Sequence, residues 1–265
     1  MYHHHFNLKH IPLAKDASSL WMNESLTTFK ERFINLLHAP GLGLLTGEPG
    51  VGKTALLRTI TQELNPHQYQ VFYLSETQFT SFDIYRQLAT TLGLVPHHRY
   101  SQLWRDIKNH ILERVERKNN QLVWIIDEAQ NLPFDFFSSF PSFLNFAFDS
   151  KDVMTVWFVG HSQLMSTIDR NIHSALASRI HVRYHINPIV DRELFSQLIV
   201  YAFKEAGGQA TLLSDTGIEM LRVASQGKPR NAHRIVARTI ELAAKKGLNH
   251  LPDDLIQQAI KELKG

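Results

Sequence analysis

The chain has 265 residues, 43% hydrophobic and 20% charged, with a net charge of +3 and no cysteine. Its length and apolar content support a sizeable core, as one large domain or a domain with a smaller appendage. The lack of cysteine excludes disulfides and thiolate metal sites and suits a reducing cytosol, so the expected location is cytoplasmic. No apolar run approaches the ~20 residues of a membrane span, and the opening Met1-Tyr-His-His-His-Phe6 lacks the charged-then-apolar order of a secretion signal. The slight positive excess permits nucleic-acid binding without demanding it.

Strand-length apolar runs alternate with helical patterns along most of the chain. In order, the pattern predicts a strand at Leu42–Thr46, a helix at Ala55–Leu64, a strand at Gln70–Leu74 and helices at Ser81–Leu92 and Ser101–Asn119. A strand at Leu122–Ile126, a helix at Phe134–Phe148, a strand at Val153–Val159, a helix at Ser162–Thr167 and a strand at His181–Ile186 follow. Such alternation points to an α/β fold with a five-stranded parallel sheet. The strand runs are nearly continuous in apolar character, as expected when helices cover both faces. From Asp191 to Leu263 only helical periodicity remains, broken at Gly207-Gly208, Gly227–Pro229 and Asn249–Pro252. The expected division is therefore residues 1–189, an α/β core, and residues 190–265, a small all-helical subdomain.

The residues Gly47-Glu48-Pro49-Gly50-Val51-Gly52-Lys53-Thr54 match the phosphate-binding pattern G-x-x-x-x-G-K-[ST], after a strand and before a helix opening at Ala55. Gly47, Gly50 and Gly52 let the backbone wrap an anion with its N–H groups inward, and the helix dipole adds to the attraction. Lys53 is expected on the β- and γ-phosphates and the Thr54 hydroxyl on Mg2+. The predicted ligand is a nucleoside triphosphate.

Leu122-Val-Trp-Ile-Ile-Asp127-Glu128 is an apolar strand that closes on two carboxylates at the sheet edge where ligands sit in open α/β folds. Asp127 is the expected Mg2+ ligand, direct or through water, and Glu128 the group that orients and deprotonates the attacking water. The strand at Val153–Val159 ends in Gly160-His161-Ser162. His161 is the first choice, and Ser162 the second, for a polar side chain at that tip meeting the γ-phosphate or the water. Arg179 stands after a helix and before the last strand. It serves either a local carboxylate or a neighbouring subunit's nucleotide, with Arg170 as the competing residue for the second role. Arg230, at the start of a helix opened by Gly227-Lys-Pro229, places a cation where the helix dipole disfavours one, which suggests an anion opposite. The aromatic run Phe134–Phe143 reads mainly as core, with an exposed subset as a partner surface.

Together these motifs resemble an AAA+ ATPase, and more narrowly its ExeA-type branch. Met1, Tyr2, Phe6, Leu8 and Pro12 match that branch's opening, Leu44–Thr54 its phosphate loop, Asp127–Gln130 with Leu132 its Asp-Glu-Ala-Gln run, and Gly227–Arg230 its Gly-x-Pro-Arg turn. The resemblance covers essentially the whole chain. It implies ATP and Mg2+ as cofactors, and phosphate, Mg2+, catalytic, finger and sensor roles for Lys53, Thr54, Asp127, Glu128, Arg179 and Arg230. It also implies an adenine-side wall from the N-terminal segment, with Phe6 and Pro12 as contacts. The chain departs from the branch at His161, where glutamine is usual, and at Leu13, where phenylalanine is usual.

ExeA-type secretion proteins carry a membrane span and a cell-wall module after the ATPase. This sequence ends at Gly265, after the helical lid. The wider clan also holds transposition regulators of the TnsC, TniB and MuB kind, which assemble on duplex DNA with ATP. The expectation is an ATP-dependent homo-oligomer, a ring or helical filament, that binds duplex DNA, recruits a transposase and has no membrane association. Thr77, Arg99, Tyr100 and Arg105 are its candidate DNA contacts. The alternative is an ATP-driven switch acting on a protein partner.

Overall fold

The computed structural model describes residues 2–15, 17, 19–118 and 120–264. Met1, Gly265 and Asn119, the expected end of the Ser101–Asn119 helix, lie outside the described residues. Two compact units emerge, one of residues 26–47 and 60–186, the other of residues 1–25, 48–59 and 187–265. The N-terminal segment and the phosphate loop thus group with the C-terminal helices, whereas the chain-order reading places them in residues 1–189.

The first unit holds the sheet. Its strands are β1 (Leu42–Gly47), β2 (Tyr69–Leu74), β3 (Gln121–Ile126), β4 (Met154–Gly160) and β5 (Ile180–Ile186). They run in the order β2-β3-β4-β1-β5, all parallel. Observed bounds fall within one residue of those predicted, because buried β-branched and aromatic runs between turns leave little freedom.

Neighbours on β4 show why both faces must be covered. Trp157 stacks on Phe33 at 5.2 Å, while Phe158, the next residue, meets Phe137 and Phe140. Phe33 belongs to α1 (Glu24–His38), which buries Phe29, Phe33, Leu36 and Leu37. The predicted elements begin at Leu42 and omit this helix, although its apolar spacing is that of one helix face. Phe137 and Phe140 belong to α5 (Phe134–Phe143), the fifth helix after α2 (Lys53–Gln62), α3 (Ser81–Thr91) and α4 (Tyr100–Lys118). Helix α5 stops short of the predicted Phe148. Ala147 and Asp149 take left-handed backbone angles, and Phe146 forms an antiparallel bridge to Lys151. The aromatic run is core in the main: Phe136, Phe137, Phe140 and Phe143 are buried and Phe134 is half exposed. Two short helices, α6 (Ser162–Ile168) and α7 (Ser174–Ala177), lie between β4 and β5.

The second unit is built from α8 (Arg192–Glu205), α9 (Asp215–Ser225), α10 (Pro229–Lys245) and α11 (Asp253–Lys264), with breaks at the predicted glycines and prolines. Asp191 caps α8 through the Leu194 N–H, and Ser214 caps α9 through the Gly217 N–H. Each such cap contributes about 1 kcal/mol. The core here is largely aliphatic, with Ile199, Leu221, Val236 and Ile256 buried. Phe6 and Leu8 join that same core, which is why the N-terminal segment groups with these helices.

Candidate functional site

Strand β1 delivers the chain into the glycine loop, and α2 begins at Lys53. Gly50 and Gly52 have φ of +87° and +105°, a region closed to most side chains. Gly47 is the last residue of β1, paired with Ile186, so only two of the three glycines are required by backbone angle. Lys53 is 7% exposed, and its Nζ donates to the Glu48 carbonyl at 3.1 Å. Val51 is buried, Pro49 and Thr54 are exposed and Ala55 is half-buried.

Helix α10 reaches this loop within the same unit. The Arg230 N–H, one of the first-turn donors that a helix leaves without an internal partner, donates to the Gly50 carbonyl at 3.2 Å. Lys228 pairs with the Glu48 carboxylate at 2.5 Å. The Arg230 side chain is exposed, and no ion pair among the described residues holds it. Pro12 is buried, and its carbonyl lies 2.9 Å from His233 Nδ1, a contact that a protonated Nδ1 satisfies. Phe6 is packed inside the helical core, which leaves it little surface for the adenine contact expected of it.

The carboxylates sit at the C-terminal end of β3. Asp127 is 3% exposed. Its Oδ2 accepts from the Tyr73 hydroxyl at 2.8 Å and its Oδ1 from the Glu128 N–H at 2.9 Å. Glu128 has φ 51° and ψ 36°, a left-handed conformation costing a non-glycine residue about 1–2 kcal/mol. The Thr77 hydroxyl donates to the Glu128 carbonyl at 3.0 Å. Gln130 Nε2 donates to Glu128 Oε2 at 2.6 Å, while Gln130 Oε1 accepts from the His161 N–H at 3.2 Å. His161 Nε2 stands 3.5 Å from Glu128 Oε2, and its Nδ1 is buried without a partner among the described residues. The structure thus brings His161, the first choice at the strand tip, beside Glu128. Ser162 opens α6 and is exposed.

Three of these partners escaped the sequence reading. Tyr73, the next-to-last residue of β2, carried no motif. Gln130 had a signal, lying two residues past Glu128 in the Asp-Glu-Ala-Gln run, but one apolar residue and an unforeseen left-handed turn hid its reach. Lys228, between Gly227 and Pro229, was passed over for Arg230.

Arg179 is engaged locally. Its guanidinium donates to the Pro141 carbonyl (2.6 Å), Asn145 Oδ1 (2.9 Å) and Asp149 Oδ2 (2.7 Å). This favours the local role over the finger, since a planar fork with three acceptors in place has few donors left. Arg170 is exposed, with no ion pair among the described residues. Beside it His173 is 1% exposed, with neither ring nitrogen partnered among the described residues. Its ring sits 4.7 Å from Phe134 and 5.5 Å from Phe137. Burial first, and then the Arg170 charge, hold its pKa below the ordinary value.

The candidate DNA contacts divide. Thr77 is buried, with its hydroxyl on the Glu128 carbonyl, and so is no surface donor. Tyr100 packs on Tyr85 and Trp104, and burial raises its pKa. Arg99 and Arg105 are exposed, without ion pairs among the described residues. No helix among those residues is long and apolar enough to cross a membrane.

The glycine loop, the paired carboxylates and the five-stranded parallel sheet with its helical C-terminal region define a P-loop AAA+ fold. The AAA domain family model matches residues 36–168, just over half of the chain, and the chain belongs to that family of nucleotide-hydrolysing ATPases. General secretion pathway protein A of Aeromonas hydrophila is 25% identical over 228 residues, covering 85% of this chain. The chain spans 41% of that relative's length. Among solved structures, the Orc1 protein of Aeropyrum pernix in complex with DNA has TM-score 0.69 at 14% identity, covering 95% of this chain and 68% of that one. Cdc6p of Pyrobaculum aerophilum has TM-score 0.69 at 18% identity, covering 96% and 72%. The Thermotoga maritima RuvB Holliday junction branch migration motor has TM-score 0.56 at 18% identity, covering 91% and 70%. These likenesses are of fold.

Proposed function

We propose that the chain binds ATP at the Gly47–Thr54 loop and hydrolyses it with Glu128 as general base. One observation carries this: a buried Asp127 and a held Glu128 directly follow β3, in the parallel sheet whose β1 leads directly into the glycine loop. Lys53 and the loop N–H groups bind the β- and γ-phosphates. Glu128 takes a proton from water as the water oxygen bonds to the γ-phosphorus and the bond to the ADP oxygen breaks. The Thr54 hydroxyl and Asp127 carboxylate are hard oxygen donors of the kind Mg2+ takes, and would hold it; when bound it neutralises phosphate charge. His161 serves the γ-phosphate side of the site, and Arg230 offers its exposed guanidinium to the nucleotide. With Arg179 held locally, Arg170 is the better candidate for a finger into a neighbouring copy. On this reading residues 190–265 act as the lid, with Pro12 on the adenine side and Phe6 supporting that segment from the helical core.

For the coupled task we propose an ATP-dependent homo-oligomer on duplex DNA that regulates transposition through target selection and transposase recruitment. The exposed Arg99 and Arg105, without ion pairs among the described residues, support it as phosphate contacts, as does a structural neighbour solved in complex with DNA. The match to General secretion pathway protein A favours a second reading, a switch or remodeller acting on a protein partner in secretion.

The test is fluorescence anisotropy on duplex DNA across a salt series, with a slowly hydrolysed ATP analogue, with ADP and without nucleotide, beside Lys53→Ala. Analogue-dependent binding that salt weakens and the variant lacks is expected. Tight nucleotide binding with no DNA affinity under any condition would overturn the DNA reading and leave the second.

A further inference from the structure

We propose that Gln130 is the positioning residue of Glu128, tying the carboxylate to the tip of β4; the proposal rests on the reading of Glu128 as general base. The side-chain amide has two ends, and each meets the one kind of group it can satisfy. Its NH2 faces a carboxylate oxygen at 2.6 Å, and its carbonyl faces the His161 N–H at 3.2 Å. A flipped amide would set oxygen against carboxylate and NH2 against N–H, so the two partners together define its orientation.

The strand end is shaped to admit this side chain. A Cβ built on Gly160 would lie 2.3 Å from Gln130 Oε1, well inside van der Waals contact, so a side chain at 160 and the amide exclude each other. Glycine here answers to space, since its φ is not in the positive range.

Glu128 needs such a tether. Its backbone is left-handed, and its side chain is about half exposed (47%), so an unheld carboxylate would sample solvent. Among the described residues, the contacts to it, from Gln130 and from His161, fall on Oε2. Oε1 therefore keeps its lone pairs for a proton. Holding one oxygen while leaving the other able to accept is what a pre-oriented base requires, because small misplacements of a reacting group carry large rate penalties.

The test measures single-turnover ATP hydrolysis and fluorescent-nucleotide affinity for the full chain, with and without duplex DNA. The variants are Gln130→Ala, Gln130→Glu, Gly160→Ala and the Gln130→Ala/Gly160→Ala double, with Glu128→Gln as control. The expected result is a fall in kcat of about tenfold in Gln130→Ala, with a nucleotide Kd within about twofold of wild type. Gln130→Glu, which places a second carboxylate beside the first, falls further. Gly160→Ala reproduces Gln130→Ala from the other side of the contact, and the double variant is no worse than either single, because one link has been cut twice. Retained nucleotide affinity shows that each variant is folded. Unchanged or raised kcat in Gln130→Ala, while Glu128→Gln is inactive, would overturn the positioning role alone. Full activity in Glu128→Gln would overturn the general-base reading, and this proposal with it.

Discussion

The phosphate loop and the corner around α5 and β5 are held by opposite means. Contacts between the loop and α10 include a backbone hydrogen bond and an ion pair whose glutamate is 46% exposed. The corner is held by a guanidinium with three acceptors and by a buried imidazole between two phenylalanine rings. An ion pair in contact with water contributes little, whereas a charge bonded to three acceptors is costly to remove, because its partners are left unsatisfied. These contacts of the loop to α10 are therefore ones that water and salt weaken, while those of Arg179 are set against acceptors that its loss would leave unsatisfied.

That contrast is sharpest at Arg179. Arg179→Ala removes all three donations and leaves the Pro141 carbonyl without its partner. Discounted for the arginine's 28% exposure, the expected loss is about 1–2 kcal/mol, read as a lower urea midpoint at constant slope. An unchanged midpoint would show the corner to be no firmer than the loop.

A smaller, pH-dependent effect is expected at His173. Its folded pKa lies below the ordinary 6.5, so the folded state favours the neutral ring and the unfolded chain binds the proton more readily. Stability is fully present above pH 6.5, falls as pH drops through that value and has lost its full share below the folded pKa. Thermal melts from pH 7.5 to 5.5 should show a steeper decline for wild type than for His173→Phe. Parallel declines would show that this ring does not govern the corner's pH response.

The smallest effect belongs to the loop. A double-mutant cycle on Glu48→Ala and Lys228→Ala should give a coupling of about 0.5 kcal/mol, fading with salt. A coupling above about 2 kcal/mol, outside the range of exposed pairs, would erase the contrast between the two regions.

The sheet was legible because its evidence is local. Runs such as Leu122–Ile126 bury both faces and show as unbroken apolar stretches, and the register follows from burial. The glycine loop was legible for the same reason, since Gly50 and Gly52 stand where the backbone turns left-handed. Helix α1 was equally readable from Phe29, Phe33 and Leu36, and was missed only because the strand pattern begins after it. The end of α5 was not readable, because the left-handed angle at Ala147 runs against alanine's local preference.

What the sequence determined by itself is the fold class, the phosphate loop, the two carboxylates and the helical tail, each written in neighbouring residues. What only the tertiary structure decided is which side chains those groups meet. Arg179 turned to Asp149 and the end of α5, Thr77 turned inward to the Glu128 carbonyl, and Tyr73 and Gln130 came to the carboxylates. Strand register and the left-handed turn at Glu128 set those pairings, and the space left by Gly160 admits Gln130. Spacing along a chain fixes the face a residue occupies, whereas the partner across that face depends on distances that only the packed sheet supplies.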